Sequence, residues 1–257
     1  MNAPHATGLT RFAGRRYLLR WRGIDVAAYT AMLYLGCVAG VFTGAAVAGS
    51  FDLDQSRVAM AMIVLLIPAL AGARIWYVAE HWSAFRREPR RIWRRSEGGA
   101  ALYGGLLLSL AVSIPILAVF AIPYWTFWDA AAFTMLVGLI FTRMGCLMNG
   151  CCAGRRTSAR LGIRLPDHRG VWERRVPTPL LEAGWSAVVL VGAALMSANR
   201  PFAGAVLIYV LAAYGAGRVL LETTRAEAGS RASWANIVVS ALLLAGGAAA
   251  LISSVLA

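Results

Sequence analysis

The chain has 257 residues, of which 59% are hydrophobic and only 14% are charged, a balance that excludes an ordinary soluble domain and a disordered chain. The formal net charge is +13, and all 25 basic residues are arginine, which binds phosphate bidentately and keeps its charge when partly desolvated. For a chain embedded in a bilayer this favours an anionic lipid over nucleic acid as partner.

Apolar runs recur along the whole chain. Each is about 20 residues long, enough to cross a bilayer core of about 30 Å. They predict an all-α integral membrane protein with seven transmembrane helices, an amphipathic interfacial arm and a small extramembrane loop domain. The predicted spans cover roughly residues 25–48, 58–80, 98–120, 126–148, 178–198, 201–222 and 234–256.

Three segments are predicted to lie outside the spans. In residues 1–23, arginines are interspersed with aromatic and leucine side chains, a pattern typical of chains that lie on a membrane surface. Residues 81–95 are amphipathic and rich in arginine, which predicts an interfacial helix. The loop 149–177 is long enough for a small cap. The predicted domains are therefore the basic segment 1–23 and a seven-span membrane domain over 24–257 that carries the cap.

Small residues and proline mark the first two spans. Gly36, Gly40 and Gly44 recur every fourth residue of span one, which lets a neighbouring helix approach closely. Pro68 predicts a kink in span two.

The loop arginines carry topological information. Most fall on the N-terminal side of the predicted membrane domain, and only Arg57 and Arg200 fall in loops on the other side. Taken alone, the positive-inside rule makes the N-terminal side cytoplasmic.

Ionisable residues inside the spans gather near that same side, apart from Asp129. A charged side chain at the bilayer centre costs about 2.5–3.5 kcal/mol on insertion scales, so scattered contact with lipid is unfavourable. A shared polar cavity resolves this cost, and we expect a functional site there. The converging residues are Arg74, Glu97, Tyr103, Arg143, Glu182, Arg218 and Glu222.

Span six has the clearest pattern. Tyr214, Arg218, Glu222 and Arg225 follow each other at steps of four, four and three, which places them on one helical face. The alternative to a functional stripe is an Arg218–Glu222 pair that only stabilises helix packing. Structural pairing is likewise an alternative for Arg74.

The stretch 141–155 runs from the end of span four into the basic loop. Gly145, Gly150 and Gly154 allow tight backbone and close approach of a ligand. Together with the intramembrane Arg143, this stretch predicts a site for an anionic lipid head group.

Cys146, Cys151 and Cys152 lie beside Asn149 in this stretch, and several interpretations stay open. They are small core or incidental residues, or they bind a metal together with His168, for which the atoms are suitable but the spacing is irregular. A redox pair or a nucleophile is the remaining option, since arginine-rich surroundings lower a thiol pKa and would make Cys151 more thiolate than usual. The site is expected to contain no metal and no cofactor.

Five segments carry a resemblance in the right order. They are Gly72-Ala-Arg-Ile-Trp-Tyr-Val78, Glu97-Gly-Gly-Ala-Ala-Leu-Tyr-Gly-Gly-Leu106, Arg143-Met-Gly-Cys-Leu-Met-Asn-Gly-Cys-Cys-Ala-Gly-Arg155, Arg175-Val-Pro-Thr-Pro-Leu-Leu-Glu182 and Tyr214-Gly-Ala-Gly-Arg-Val-Leu-Leu-Glu-Thr-Thr-Arg225. Over residues 72–227 they resemble the segments of the bacterial prolipoprotein diacylglyceryl transferase family.

The resemblance implies a multi-pass enzyme of the bacterial cytoplasmic (inner) membrane. Such an enzyme moves the diacylglyceryl group of phosphatidylglycerol onto the lipobox cysteine of a prolipoprotein and releases glycerol phosphate. The implied partners are phosphatidylglycerol or another anionic phospholipid and a prolipoprotein signal peptide. The family site faces outward, which conflicts with the arginine distribution, and a reporter fused after Ala257 distinguishes the two topologies.

Several positions depart from the family pattern. The family histidine of His-Gly-Gly is Tyr103, the asparagine after Arg-x-Gly is Cys146, and the glutamate after Asn-Gly is Cys151. The histidine and glutamine of the fifth-span segment are Val176 and Pro179. A tyrosine, with an ordinary pKa of about 10, is a poor general base at neutral pH. The lipid-binding half of the chemistry is therefore better supported than the acceptor half.

Site residues follow from the motifs and the resemblance together. In the expected mechanism Arg143 and Arg218 hold the phosphate and stabilise charge on the leaving glycerol phosphate while a thiolate attacks the sn-3 carbon. The expected catalytic residues are Arg143, Arg218, Tyr103, Glu222 and Cys151. The expected substrate-binding residues are Asn149, Gly104, Gly105, Arg74, Glu182, Cys146, Arg155 and Tyr214.

Two other functions stay open. One is a divergent relative that transfers a phospholipid-derived group to a different acceptor. The other is a non-enzymatic membrane protein that handles thiols or metals, or a small transporter.

Overall fold

The computed structural model describes residues 12–21, 24–86, 88–93, 101–160, 162–167, 170–225 and 231–256. Some parts of the sequence predictions lie outside these ranges, namely residues 1–11 and 22–23 of the basic segment, residues 87 and 94–95 of the interfacial segment, residues 98–100 of span three, Glu97 and His168.

Within the described residues, seven helices are long and apolar enough to cross a membrane. The predicted class, an all-α multi-pass membrane protein, is confirmed. The helices are α1 (Ala28–Ala48), α2 (Gln55–Glu80), α3 (Leu102–Val119), α4 (Tyr124–Asn149), α5 (Thr178–Ser197), α6 (Ala205–Glu222) and α7 (Arg231–Leu256).

Helices α2 and α6 begin at residues other than those predicted from hydrophobicity, because a capping residue and a turn glycine determine where they start. The side chain of Asp54 accepts a hydrogen bond of 2.7 Å from the backbone N–H of Arg57, so α2 begins at Gln55 and not near residue 58. Helix α6 begins at Ala205 and not near residue 201, because the preceding Gly204 has a φ of 99°.

The chain forms two compact units. The larger comprises Met1–Gly44 and Ala131–Ala257, and the smaller comprises Ala45–Ala130. Each unit is described separately below, and the division into segment 1–23 and domain 24–257 stays a prediction.

In the larger unit, α1 packs on α4 through its small residues. A Cβ at Gly36 would lie 2.8 Å from the Cβ of Phe141, and one at Gly40 would lie 2.7 Å from the carbonyl oxygen of Thr134. The Thr134 hydroxyl also donates a 2.9 Å hydrogen bond to the Gly40 carbonyl. The predicted close helix approach is confirmed at these two glycines.

Two short hairpins, which the hydropathy pattern did not predict, complete the larger unit. Strand β1 (Tyr17–Trp21) pairs antiparallel with β2 (Ile24–Ala27), and β3 (Ile163–Pro166) pairs antiparallel with β4 (Trp172–Arg175). Strand β1 lies in the described part of the basic segment, and β2 follows at the start of the predicted membrane domain. The second hairpin forms the cap.

The cap is fixed to the end of α4 by a small apolar core. Leu165 of β3 packs with Leu147 of α4 and with Ala13, all three buried. The backbone N–H of Gly14 donates to the Leu147 carbonyl at 3.4 Å. The N-terminal segment and the cap therefore meet at the stretch that follows Arg143.

In the smaller unit, α2 and α3 pack through glycines. A Cβ at Gly105 would lie 2.7 Å from the carbonyl oxygen of Ala69. A Cβ at Gly104 would collide with Trp76 and with the Gly72 backbone. Gly104 and Gly105, predicted to bind substrate, thus have a packing role that requires glycine.

The predicted interfacial helix over 81–95 is wrong in its described part. The structure has one helical turn over Trp82–Phe85 and a separate 3-10 segment over Pro89–Trp93. Pro89 accounts for the interruption, because proline disfavours helical backbone at the preceding residue and has no N–H to donate.

Candidate functional site

A network of buried charges joins three helices of the larger unit. The Nε of Arg143 on α4 lies 2.9 Å from Oε2 of Glu182, near the start of α5, in an ion pair. The Nη1 of Arg218 on α6 donates a 3.1 Å hydrogen bond to Oε1 of the same carboxylate. Arg225, just after α6, reaches the same carboxylate through its Nη2 at 3.1 Å. One carboxylate therefore holds three guanidinium groups that come from distant parts of the sequence.

Glu222 completes the network from the end of α6. Its Oε2 lies 3.0 Å from the Nη2 of Arg218, one helical turn earlier, and 3.8 Å from the Nε of Arg225. The stripe predicted on span six thus has its charged members in contact, as the 3.6-residue period requires. Arg218 and Arg225 also contact Glu182, so the Arg218–Glu222 pair is part of a larger network. A role of that network beyond helix packing stays a prediction.

The network carries excess positive charge in a place with little water. Three guanidinium groups face two carboxylates, which leaves one positive charge in excess. The side chains of Glu182, Arg218 and Glu222 are 7%, 9% and 6% exposed. Charges interact more strongly where solvent screening is weak, so this arrangement favours an anion.

Close packing of α5 against α6 positions the network. The indole Nε1 of Trp185 donates to the Ala213 carbonyl at 2.9 Å. A Cβ at Gly217 would collide with the same indole, so the two helices approach at a glycine one residue before Arg218. The tryptophan and the glycine therefore set the distance across which Glu182 and Arg218 pair.

A small cavity lies among these groups. It encloses about 10 Å³ and is lined by Arg143, Arg218, Tyr214, Ser186 and Trp185, among others. Tyr214 is buried and lies within electrostatic range of both arginines. A space of this size holds about one water molecule, so a lipid phosphate enters only if guanidinium groups exchange carboxylate for phosphate.

The loop after α4 is pinned to the network by backbone contacts. The N–H of Gly154 donates to the Val176 carbonyl at 3.1 Å, and the N–H of Arg155 donates to the Thr224 carbonyl at 2.9 Å. Gly154 also forms a β-bridge with Arg225. The side chain of Arg155, predicted to bind substrate, is exposed, and its binding role stays a prediction.

Gly154→Ala is expected to destabilise the protein. A Cβ there would lie 2.5 Å from the Val176 carbonyl oxygen and 2.7 Å from that of Thr224. Overpacking of this kind costs about 1–3 kcal/mol, which a lower melting temperature in detergent would reveal. Gly184→Ala on α5 is the matched control, because nothing lies within 4 Å of its added Cβ; equal melting temperatures for the two variants would contradict the expectation.

The three cysteines converge beside this network. The sulfur atoms of Cys146, Cys151 and Cys152 all lie within 4.8 Å of one another. Cys146 is buried and Cys152 is exposed. Asn149, predicted to bind substrate, has its side chain within hydrogen-bonding range of Cys151.

The expectation that Cys151 is more thiolate than usual is wrong, because the pKa of that thiol is raised. A hydrogen bond with Cys146 lowers the pKa of Cys151. A hydrogen bond with Cys152 and burial together raise this pKa by more, so the net shift is upward. Cys152 is the thiol with a lowered pKa. Hydrogen bonds from Cys146 and Cys151, and then the charges of Arg143 and Arg225, lower the pKa of this thiol well below its ordinary range.

The smaller unit holds the remaining predicted residues. Arg74 donates from Nε to the Ile92 carbonyl at 3.0 Å and lies over the rings of Tyr77 and Phe85, 5.7 and 5.5 Å from their centroids. Tyr103 is buried, with 5% of its surface exposed. Roles for Arg74 and Tyr103 in binding and catalysis stay predictions.

Sequence reasoning left two participants out of the site. Arg225 was part of the four-residue stripe, and its position one turn beyond Glu222 was the signal that could have included it. Cys152 had no such signal in the sequence. Its position depends on a left-handed φ of 58°, which no spacing rule predicts.

Comparison with known proteins agrees with the family resemblance of the sequence segments. The sequence profile of the family described as "Prolipoprotein diacylglyceryl transferase" matches residues 16–253. Proteins named "Phosphatidylglycerol--prolipoprotein diacylglyceryl transferase" are similar to the chain. In Tropheryma whipplei (strain TW08/27) the identity is 31% over 184 residues, covering 67% of this chain and 67% of the relative.

Two further relatives carry the same name. The protein of Lactiplantibacillus plantarum is 35% identical over 181 residues, covering 65% of this chain and 62% of its own length. That of Trichormus variabilis is 27% identical over 220 residues, covering 81% and 76%. The profile match covers helices α1 to α6, most of α7 and the charged network described above. The chain belongs to the prolipoprotein diacylglyceryl transferase family.

Proposed function

We propose that the chain is a transferase of the bacterial cytoplasmic (inner) membrane that moves the diacylglyceryl group of phosphatidylglycerol to the lipobox cysteine of a prolipoprotein. Family membership supports the reaction class, and the names of the relatives supply the donor and the acceptor. The observation that carries the proposal is the set of three guanidinium groups on two buried carboxylates.

The network is suited to a phosphodiester because its positive charge is not fully neutralised. Arginine presents a planar fork that pairs with phosphate through two parallel hydrogen bonds. In the structure those forks point at Glu182 and Glu222. A phosphate that replaces Glu182 as partner of Arg143 and Arg218 gains charge-assisted hydrogen bonds without requiring new cations.

The same groups serve the transfer step. A thiolate attacks the sn-3 carbon of the diacylglyceryl group, a sulfur–carbon bond forms, and the carbon–oxygen bond to phosphate breaks. The electron pair of that bond remains on the phosphate oxygen, where Arg143 and Arg218 stabilise the added charge. The thiol proton must leave before or during the attack and pass to a general base. Glu222 instead fixes Arg218, from whose Nη2 its Oε2 lies 3.0 Å away.

An apolar cavity offers room for an acyl chain. It encloses about 380 Å³ and is lined by Phe12, Met32, Phe141 and Met144, among others. Ligand pockets of about 300–1,000 Å³ with mainly apolar walls are typical of small-molecule sites. Met144 follows Arg143 directly on α4, so one turn of this helix contributes to both cavities.

A second candidate is transfer to a different acceptor. The specific observation in its favour is the cysteine cluster, which stands where the family pattern has an asparagine and a glutamate. Tyr103 of the smaller unit, in the place of a histidine, is a further departure from the family pattern.

The test is to incubate the purified chain with phosphatidylglycerol and measure released glycerol phosphate, with and without a lipobox peptide. We expect release only when the peptide is present, with one thioether-linked diacylglyceryl group on the peptide cysteine. Release without peptide favours the second candidate, and a peptide with serine in place of cysteine is the matched control. The absence of release when the lipobox peptide is present would contradict transfer to a lipobox cysteine.

A further inference from the structure

We propose that Cys146, Cys151 and Cys152 bind one soft, thiophilic divalent cation through three thiolates and leave one coordination position open. The proposal starts from convergence: three ligand atoms from a seven-residue stretch lie within 4.8 Å of one another in the described part of the chain. Zinc is the probe that the chemistry suggests, because it accepts sulfur ligands in tetrahedral geometry.

The backbone brings the three sulfurs together in an unusual way. Cys146 lies in the last turn of α4, and the N–H of Cys151 donates back to the Cys146 carbonyl at 3.2 Å. Gly150 has a φ of 72°, which suits glycine, but Cys152 has a φ of 58°, which a residue with a Cβ rarely adopts. The chain thus turns twice with left-handed backbone, and the second turn places the third sulfur in the cluster.

The spacing suits a metal better than a disulfide. Zinc–sulfur bonds of about 2.3 Å in a tetrahedron put the sulfurs roughly 3.8 Å apart, so the cluster needs a contraction of at most about 1 Å. A disulfide would use two of the sulfurs and leave the third without function. Adjacent cysteines are also poorly placed for a bond between them, since consecutive Cα atoms are about 3.8 Å apart and disulfides prefer about 5.5–6 Å.

The surroundings stabilise both the cation and the thiolates. The cluster lies at the C-terminal end of α4, where the helix dipole favours positive charge. Three thiolates and a divalent cation carry one net negative charge, and the cations of Arg143 and Arg225 lie within electrostatic range of Cys152. Binding therefore releases the thiol protons to solvent and leaves a charge that the neighbouring arginines compensate.

The open position has a chemical use. Zinc sites with three protein ligands keep the fourth position for water or substrate, and a thiol that coordinates the metal loses its proton. Cys152 is exposed, so an external thiol can reach the cluster. In this role, which rests on the proposed function, the site would deprotonate the acceptor cysteine.

Metal binding is tested on the full-length protein in detergent under reducing conditions. Chelator-stripped protein is titrated with Co²⁺, which gives a sulfur-to-metal charge-transfer band, and Zn²⁺ is then added to displace it. We expect one equivalent of metal per chain. Cys151→Ser and Cys152→Ser should weaken binding by at least about 100-fold, since even outer partners of a metal site contribute about 10–100-fold. Cys37→Ser on α1 is the matched control and should bind like the parent.

A second measurement does not depend on the variants. Zn²⁺ should protect Cys151 and Cys152 of the stripped parent protein from maleimide, whereas Cys37 should react equally with and without metal. Equal labelling in both conditions, or equal metal binding by the parent and both cysteine variants, would overturn the site.

Glycerol phosphate release is measured on the same stripped and reloaded samples. Bound metal with unchanged release overturns the role for the acceptor thiol, whereas failed release in both samples contradicts the proposed function and leaves the binding result standing.

Discussion

Arg143→Ala is expected to lower the rate of glycerol phosphate release by about 10²–10³-fold, the usual effect of removing one group that stabilises a developing negative charge. The Arg143 side chain is only 14% exposed and its Nε lies 2.9 Å from Glu182, so its charge acts with little screening by water. Removal also restores neutrality to the network, because two guanidinium groups then face two carboxylates. The rate is measured at saturating phosphatidylglycerol with a lipobox peptide.

Two further variants separate charge from geometry. Arg164→Ala removes an exposed arginine of strand β3 and should release glycerol phosphate at the parent rate. Arg143→Lys keeps the charge but loses the planar fork, so its rate should fall between those of the parent and Arg143→Ala. Immunoblots of the membrane fraction establish that each variant inserts. An Arg143→Ala protein with the parent rate would remove this side chain from the site.

The helices could be predicted because bilayer thickness, and not tertiary context, sets their length. An apolar run of about 20 residues is sufficient evidence for a span. The stripe of Arg218, Glu222 and Arg225 was also predictable, because the helical period alone places those residues on one face of a helix. Where hydropathy misplaced an end, a local feature such as the cap at Asp54 was responsible.

The partners within the site were less predictable, because pairing across helices depends on packing. The sequence placed Arg143 and Glu182 near the same side, but nothing in their spacing indicates that one carboxylate serves three guanidinium groups. That outcome depends on the approach of α5 and α6 at Gly217. The irregular spacing of the cysteines similarly concealed their convergence, because the left-handed φ of Cys152 has no signature in the sequence.

The structure gives a different role to two glycines that were predicted to bind substrate. Gly104 and Gly105 were selected because they match a family segment, and the structure shows that both are required for α2 and α3 to pack. A motif therefore mixes residues that contact a ligand with residues that position those contacts. Only a variant that alters activity without altering stability distinguishes the two roles.

Glu182→Gln is expected to destabilise the protein strongly and to make its stability depend on anionic lipid. Glutamine has no charge, so three guanidinium groups would face Glu222 alone, and breaking a buried ion pair costs about 3–5 kcal/mol. A loss of that size lowers the melting temperature by roughly 10 °C in a chain of this length. Thermal unfolding of the detergent-solubilised variant measures the change, with Glu80→Gln as the exposed control.

The lipid dependence provides the sharper test, because a phosphodiester can replace the missing carboxylate. Phosphatidylglycerol added to the micelles should raise the melting temperature of Glu182→Gln more than that of the parent, whose guanidinium groups already have carboxylate partners. Phosphatidylcholine has a phosphate but no net charge, so it should restore less. If phosphatidylglycerol stabilised both proteins equally, its phosphate would not be entering the space that Glu182 occupies, and the charged network would be a structural contact between helices.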